Sequence, residues 1–275
     1  MRVGRIPYVN CAPVYGAIDR GIVRLDAEMV VGVPTALNAQ MATGALDLSV
    51  ISAVEYARDA DRYLLLPDLA ISCDGPVQSV LLFSTCEAEA LGDARVVVSR
   101  SSMTSVALLR LLFRDVWRVA PQFEAGDSET RDLSALSAPA HLVIGDAALT
   151  LSSAMRRGET RFTHMYDLGA MWRAWTGLPF VFAVWVAARH APVAQSLAVH
   201  AALLESRAWG LANLGTLAAD ASAHMGIPAA ECESYLSGLD YGLGVTHLHG
   251  LTEFYRRLAE IGSIGHAPLR FLTAA

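Results

Sequence analysis

Strand-like and helix-like segments alternate through the first two thirds of this chain, in two cycles separated by a connecting stretch. The first cycle holds a strand at 2–6 and a helix from about Ala12, with Pro13 in its first turn, then the strand "EMVVGV" and a helix from Pro34 to Gly44. The buried strand "LDLSVIS" follows, and Ser52 is placed to cap the helix "AVEYARDA". After "SVLLFS" at 79–84 and the linker-like "TCEAEALGDA", a second cycle opens on "RVVVSR". It continues with a helix at 103–117, strand "HLVIG", a helix at 146–156, strand "RFTHMY", a helix at 168–176 and the apolar strand "PFVFAVWVAA". From Ala191 the pattern is helical only, broken at "LDYGLGVTH" before an amphipathic helix at 250–262. Alternation of this kind buries both element types only in layers, so it predicts an α/β fold with largely parallel sheets. Two cycles and a helical C-terminal tail predict two lobes, with residues 1–88 and 178–275 in lobe I and residues 89–177 inserted as lobe II. A ligand is then expected in the interlobe cleft, at the carboxyl ends of the strands.

Composition narrows the chemistry. At 275 residues, with 53% hydrophobic and 17% charged, the chain can bury a large core and has no disordered-tail signature. The longest apolar run, Gly177–Ala188, is too short to cross a bilayer, so no membrane partner is expected. The sequence contains no lysine, which excludes Schiff-base chemistry, a lysine-anchored pyridoxal cofactor and a Walker-type phosphate loop. With a net charge of -6 and no basic stripe, nucleic acid is not an expected partner either. Cys11, Cys73, Cys86 and Cys232 lie far apart without a CxxC pair and read as free thiols of a reducing compartment. The chain opens on strand-like residues with no charged-then-apolar leader, from which a cytoplasmic location is expected. Nothing in the sequence indicates an oligomeric state.

Positions just beyond the expected strands form a short set: Asn10, Ser49, Ser52, Ser79, the run from Ser99 to Ser105, Gly145 and Asp146. Nearly all are small neutral hydrogen-bonding residues near helix starts, where backbone N–H groups favour an anion even without lysine. A small carboxylate or phosphate compound is the expected ligand. Each residue singly is also a good helix cap, Asn10 included. The segment "SRSSMTSVALLRLL" is denser than capping requires, since one helix needs one cap, and it points to anion binding. The eight histidines are scattered apart from His247 and His249, and no Cys or carboxylate cluster completes a metal set, so they read as structural or surface residues. No GxSxG, HExxH or GxGxxG pattern occurs. Trp172, Trp175, Phe180, Phe182 and Trp185 fall at helical and strand spacing and read as core before pocket.

Several stretches together resemble one family. "RIPYVNCAPVYGAI", "GPVQSVLLFS", "SMTSVALLRLL", "LVIGDAAL", "DLGAMWRAWTGLPFVFAVW" and "YGLGVTHLHGLTEFYRRL" are similar to the chorismate dehydratases of the futalosine route to menaquinone, across almost the whole chain. The resemblance implies a fold like the type II periplasmic binding proteins and a cytoplasmic lyase acting on chorismate, a small dicarboxylate, with no metal and no organic cofactor. It implies loss of water to give 3-[(1-carboxyvinyl)oxy]benzoate, driven by aromatisation of the ring. By motif match, Asn10 falls near the ring and the leaving hydroxyl, and Ser79 near a substrate carboxylate. Thr104 and Ser105 are expected on the other carboxylate, with Ser52, Ser99 and Gly145 lining the site. The proton acceptor is either Asp146 or the enolpyruvyl carboxylate of the substrate. A sister family with the same fold, the 1,4-dihydroxy-6-naphthoate synthases, carries a basic histidine after the strand matching "LVI", where this chain has Gly145 and Asp146. A non-catalytic anion-binding module of the same fold is the remaining alternative.

Overall fold

The computed structural model describes residues 1–128 and 136–273. Strands β1 (Arg2–Arg5), β2 (Glu28–Val31), β3 (Leu48–Ser52), β4 (Tyr63–Cys73) and β10 (Phe180–Ala188) form one sheet in the order β2-β1-β3-β10-β4. Strands β5 (Val80–Ser84), β6 (Arg95–Ser99), β7 (Gln122–Gly126), β8 (Ala140–Ile144) and β9 (His164–Asp167) form a second, in the order β7-β6-β8-β5-β9. The helices that matter for the site are α1 (Ala12–Asp19), α2 (Pro34–Ala42), α3 (Ala53–Arg58), α4 (Met103–Leu111), α5 (Gly145–Arg156) and α6 (Leu168–Thr176). The tail holds α7 (Val193–Ala212), α8 (Leu214–Met225), α9 (Ala229–Gly238) and α10 (Val245–Glu260). Among the described residues no helix is long and apolar enough to cross a membrane.

The sheets are mixed, against the expectation of largely parallel ones. β1 runs parallel to β2 and β3, and β6 parallel to β7 and β8. β10 is antiparallel to β3 and β4, and β5 antiparallel to β8 and β9. The cause is topological. The chain passes between the sheets twice, at 74–79 and 177–179, and each time it enters at the end where the parallel strands finish. The entering strand, β5 or β10, must therefore run back against its neighbours. Sheet membership puts β5 with the second sheet, so a boundary at 88 would separate it from its partners. We propose the two crossings as the lobe boundaries in its place.

Two strands have no counterpart in the pattern read from sequence, and both lie at sheet edges. β4 carries Pro67 and Asp68 in its middle, which break a period-two reading, and Asp68 sits at a φ of 51° beside a register shift against β10. An edge strand tolerates that break because one side of it needs no ladder partner. Arg207 of α7 closes the gap, donating to the Asp68 carbonyl and to its carboxylate at 2.9 Å. β7 is largely exposed and polar, which hides it from a hydrophobic pattern. The helix expected at 103–117 is α-helical only to Leu111 and continues as a π-helical turn over Leu112–Trp117. The last helix begins at Val245, earlier than the expected 250, because the Gly-rich break ends at Gly244.

The tail packs on the first sheet's side and also reaches the second. Gly210 allows the α7–α1 crossing, since a Cβ there would lie 2.1 Å from the Pro13 carbonyl oxygen. α9 contacts α5 through the Arg156–Glu231 ion pair and places Tyr235 against Ser79. One continuous core, including Trp172, Trp185, Phe180 and Phe254, runs beneath both sheets.

Candidate active site

The parallel strands of both sheets finish around one pocket of about 540 Å³, counted to its open mouth. Asn10, Ser52, Ser79, Ser105 and Gly145 line it, so five of the residues expected from sequence meet there. Tyr8, Pro34, Ser102 and Phe182 complete its polar and aromatic wall. No Asp, Glu, His or Arg is among its lining residues. What it offers instead is helix starts. Asn10 immediately precedes the cap of α1, Pro34 opens α2, Ser52 caps α3, Ser102 caps α4 and Gly145 opens α5. The positive ends of helix dipoles thus converge on one cavity whose lining holds no formal charge of its own, an arrangement that favours an anionic ligand.

Asn10 sits in the 3-10 turn Val9–Cys11. It caps nothing: the N-cap of α1 is Cys11, and no side-chain bond closes that end. Its Oδ1 is buried and has no hydrogen-bond partner, although it lies on the pocket wall. A buried acceptor left open costs about 1–3 kcal/mol, so the atom calls for a donor from a ligand. Behind it, burial pushes the Cys11 thiol up to about 12, which keeps it protonated and non-nucleophilic.

Ser79 is held on every side. Its N–H donates to the Val77 carbonyl at 2.8 Å, and its own carbonyl accepts from Gly145 N–H at 2.8 Å. The loop before it carries Gln78 at a φ of 59°, uncommon for a residue other than glycine. Asp167 secures that loop, accepting from Val77 N–H at 3.0 Å and Gln78 N–H at 2.6 Å while capping α6 through Ala170 N–H at 3.0 Å. Burial raises the Asp167 carboxyl above its usual value, against the pull of these N–H bonds. Gly145 has a φ of 62°, and a Cβ there would meet the Tyr8 ring at 3.2 Å, so this wall has no room for a side chain.

The serine-rich start of α4 divides its work. Ser102 caps the helix, accepting from Ser105 N–H at 3.2 Å, and its hydroxyl donates to Ser105 Oγ at 2.7 Å. Ser52 accepts from Glu55 N–H at 3.1 Å and from the Asn38 amide at 3.2 Å. Three expected residues stand outside the lining. Thr104 is buried and accepts from Val54 N–H at 3.1 Å, tying α4 to the start of α3. Ser99 lies in a neighbouring groove with Arg58, Arg100 and Arg110 and accepts from Ser101 N–H at 3.0 Å. Asp146 accepts from Val9 N–H at 3.0 Å and so holds the turn that carries Asn10.

Other residues were not singled out for the site by sequence. Phe182, read there as core, is both packed and part of the wall. Tyr8 and Pro34 carry no motif signal beyond standing next to Asn10 and at a helix start. Tyr235 comes from α9, far along the chain, and no local pattern points to it. His247 and His249 hold no metal set: His247 pairs with Asp240 at 2.9 Å, and among the described residues no group of three or more potential ligands gathers.

Two α/β sheets enclosing a helix-start pocket define a periplasmic-binding-protein-like fold, and solved structures agree. A protein from Archaeoglobus fulgidus superposes with a TM-score of 0.77 at 21% identity, covering 96% of this chain and 98% of its own. The alkanesulfonate-binding protein SsuA of Xanthomonas axonopodis pv. citri, bound to MOPS, gives 0.69 at 13% identity over 98% and 95%. Within that class, the chain belongs to the menaquinone biosynthesis family, whose model matches residues 1–260. It is 33% identical to the chorismate dehydratase of Thermus thermophilus over 262 residues, covering 91% of this chain and 92% of that protein.

Proposed function

We propose that this chain is a chorismate dehydratase, a cytoplasmic carbon–oxygen lyase that eliminates water from chorismate to give 3-[(1-carboxyvinyl)oxy]benzoate. The observation that carries the reading is the buried, unpartnered Asn10 Oδ1 in a pocket of helix starts without charged walls. Chorismate at neutral pH has two carboxylates and one hydroxyl. The carboxylates suit the N–H groups and serine hydroxyls, and the C4 hydroxyl is the single O–H donor available to Asn10.

The chemistry balances without an oxidant or reductant. The C3 hydrogen is activated by vinylogous conjugation to the ring carboxylate. In the proposed step the C3–H and C4–O bonds break, the C3=C4 π bond forms, and the ring becomes aromatic. The C3 proton passes first to a base and from it to the departing hydroxide, which leaves as water. Since no carboxylate or imidazole lines the pocket, the enolpyruvyl carboxylate of the substrate is the proposed proton acceptor, held over C3 by the protein. Asn10 orients the C4 hydroxyl and its amide N–H stabilises charge on the leaving oxygen, while Ser79 and the Ser102–Ser105 start of α4 hold the carboxylates. Asp146, bound to Val9 N–H, acts by fixing Asn10. The sister synthase reading needs an imidazole after β8, where Gly145 and the Tyr8 ring leave it no space.

The test is purified protein with chorismate and no added cofactor, read by chromatography and mass spectrometry. A product one water lighter with a benzoate absorbance supports the reading, and Asn10→Ala should lower kcat/KM about 100-fold. Its unfolding midpoint should not fall, because Asn10 caps no helix and its Oδ1 has no protein partner to lose. Chorismate left unchanged by folded protein would reject the dehydratase and leave an anion-binding module.

A further inference from the structure

Behind the pocket wall, the Tyr235 hydroxyl of α9 donates to Ser79 Oγ at 2.9 Å. Tyr235 is buried, and burial raises its hydroxyl far above the ordinary tyrosine value, with the Asp146 carboxylate pushing the same way. It therefore keeps its proton, and since Ser79 Oγ is its one hydrogen-bond partner among the described residues, that proton is directed at Ser79. A hydroxyl has one proton and two lone pairs, so accepting from Tyr235 leaves the Ser79 proton to point elsewhere. Among the described residues its one acceptor is the Val77 carbonyl at 3.4 Å, a long contact. The Ser79 main chain is immobile, pinned by Val77 and Gly145. The remaining direction is the pocket, where Ser79 is part of the wall.

We infer that Tyr235 is a positioning residue: it fixes the polarity of the Ser79 hydroxyl so that Ser79 presents a donor, and not a lone pair, to an anionic group of the ligand. The inference rests on the proposed dicarboxylate site and adds the device that sets its sign. A serine free to rotate can turn an oxygen lone pair toward a carboxylate, which repels it; a serine already accepting from tyrosine cannot do so without losing that bond. The polarised chain Tyr235–Ser79–carboxylate also strengthens each bond in it. Tyr235 is not among the pocket-lining residues and lies 156 residues from Ser79 in sequence.

The experiment is a double-mutant cycle with Tyr235→Phe, Ser79→Ala and the pair, each checked for folding by thermal unfolding. Tyr235→Phe should lower kcat/KM for chorismate about 10-fold. The loss should appear mainly in KM if Ser79 holds a carboxylate alike in ground and transition states. In the Ser79→Ala background the same tyrosine change should have no further effect. Equal losses in both backgrounds, or no loss in the first, would overturn the inference, since a merely structural tyrosine acts whether or not Ser79 has a hydroxyl. If Tyr235→Phe does not fold, 3-fluorotyrosine at 235 keeps the shape with a more acidic hydroxyl. It should raise kcat/KM with Ser79 present and leave Ser79→Ala unchanged, and any other pattern counts against the inference. Should wild-type protein leave chorismate intact, the dehydratase reading fails alone, and the cycle is read on the Kd of isophthalate by calorimetry. There, tyrosine-dependent binding only with Ser79 sustains the inference; tyrosine-independent binding, or none by wild type, overturns it.

Discussion

Gly145 concentrates several demands in one residue. It follows β8, opens α5, gives its N–H to the Ser79 carbonyl and lies against the Tyr8 ring at a φ of 62°. Alanine there would both strain the backbone and press a methyl into Tyr8 at 3.2 Å. We expect Gly145→Ala to destabilise the fold by more than about 1 kcal/mol and to lower turnover by shifting Tyr8 and Ser79 together. Denaturant unfolding and steady-state kinetics on the same preparation check both halves. The position was legible in sequence as a helix start after a strand. Its conformation was not, because a positive φ shows only when the neighbouring ring is in place.

At the scale of elements, the break "LDYGLGVTH" between α9 and α10 is held by an ion pair. His247 Nε2 meets Asp240 Oδ2 at 2.9 Å and Asp240 also accepts from Gly242 N–H; in the neutral ring His247 Nδ1 accepts from Gly244 N–H at 3.2 Å, a bond given up when protonation completes the ion pair. The hydrogen bond to Asp240 raises the His247 imidazole above its usual value, outweighing burial, which lowers it; the same bond holds the Asp240 carboxyl below its own. The histidine part of this stabilisation is complete below the ordinary imidazole value of 6.5 and fades as pH rises through the raised folded value. The aspartate part is present above the ordinary carboxyl value of 3.8 and fades as pH falls through the lowered folded value. The pair thus stabilises most between those two values. The unfolding-midpoint difference between wild type and His247→Gln should be largest near about pH 5 and shrink by about pH 8. Half the Asp240 side chain is open to solvent, so screening holds the effect below about 1 kcal/mol.

Across the whole molecule, the bond from Val9 N–H to Asp146 Oδ1 links the turn after β1 in the first sheet to the helix after β8 in the second. It decides between two roles for Asp146, because an asparagine keeps the acceptor oxygen and loses the basicity. Asp146→Asn should retain most of the wild-type kcat/KM for chorismate, and Asp146→Ala should lose about 10-fold or more as Asn10 drifts. A collapse of activity in Asp146→Asn equal to that in Asp146→Ala would make the carboxylate itself the base. The uncharged wall carries a second consequence at this scale: its lining comes from helix starts next to strands of both sheets, so the proposed recognition of an anion would need both sheets together.

What the sequence determined by itself is the material of the protein. The strand–helix alternation dictated α/β layers, the absence of lysine removed amine chemistry, and small polar residues at strand ends put Asn10, Ser52, Ser105 and Gly145 near helix starts and Ser79 just before a strand, because these are local properties of period and residue type. The motifs of the N-terminal strand, the 79–84 strand and the "DLG" block also carried the family resemblance. Only the tertiary structure decided which of those residues share a wall. Thr104 turns to Val54, Ser99 to a different groove, Asp146 to Val9, and Tyr235 arrives at Ser79 from the tail. It also decided the antiparallel β5 and β10 and the edge strands β4 and β7. The reason is the same throughout: a hydroxyl or carboxylate takes whichever partner lies within about 3 Å, and at that range the neighbour is set by how distant elements pack, not by the residues adjacent in the chain.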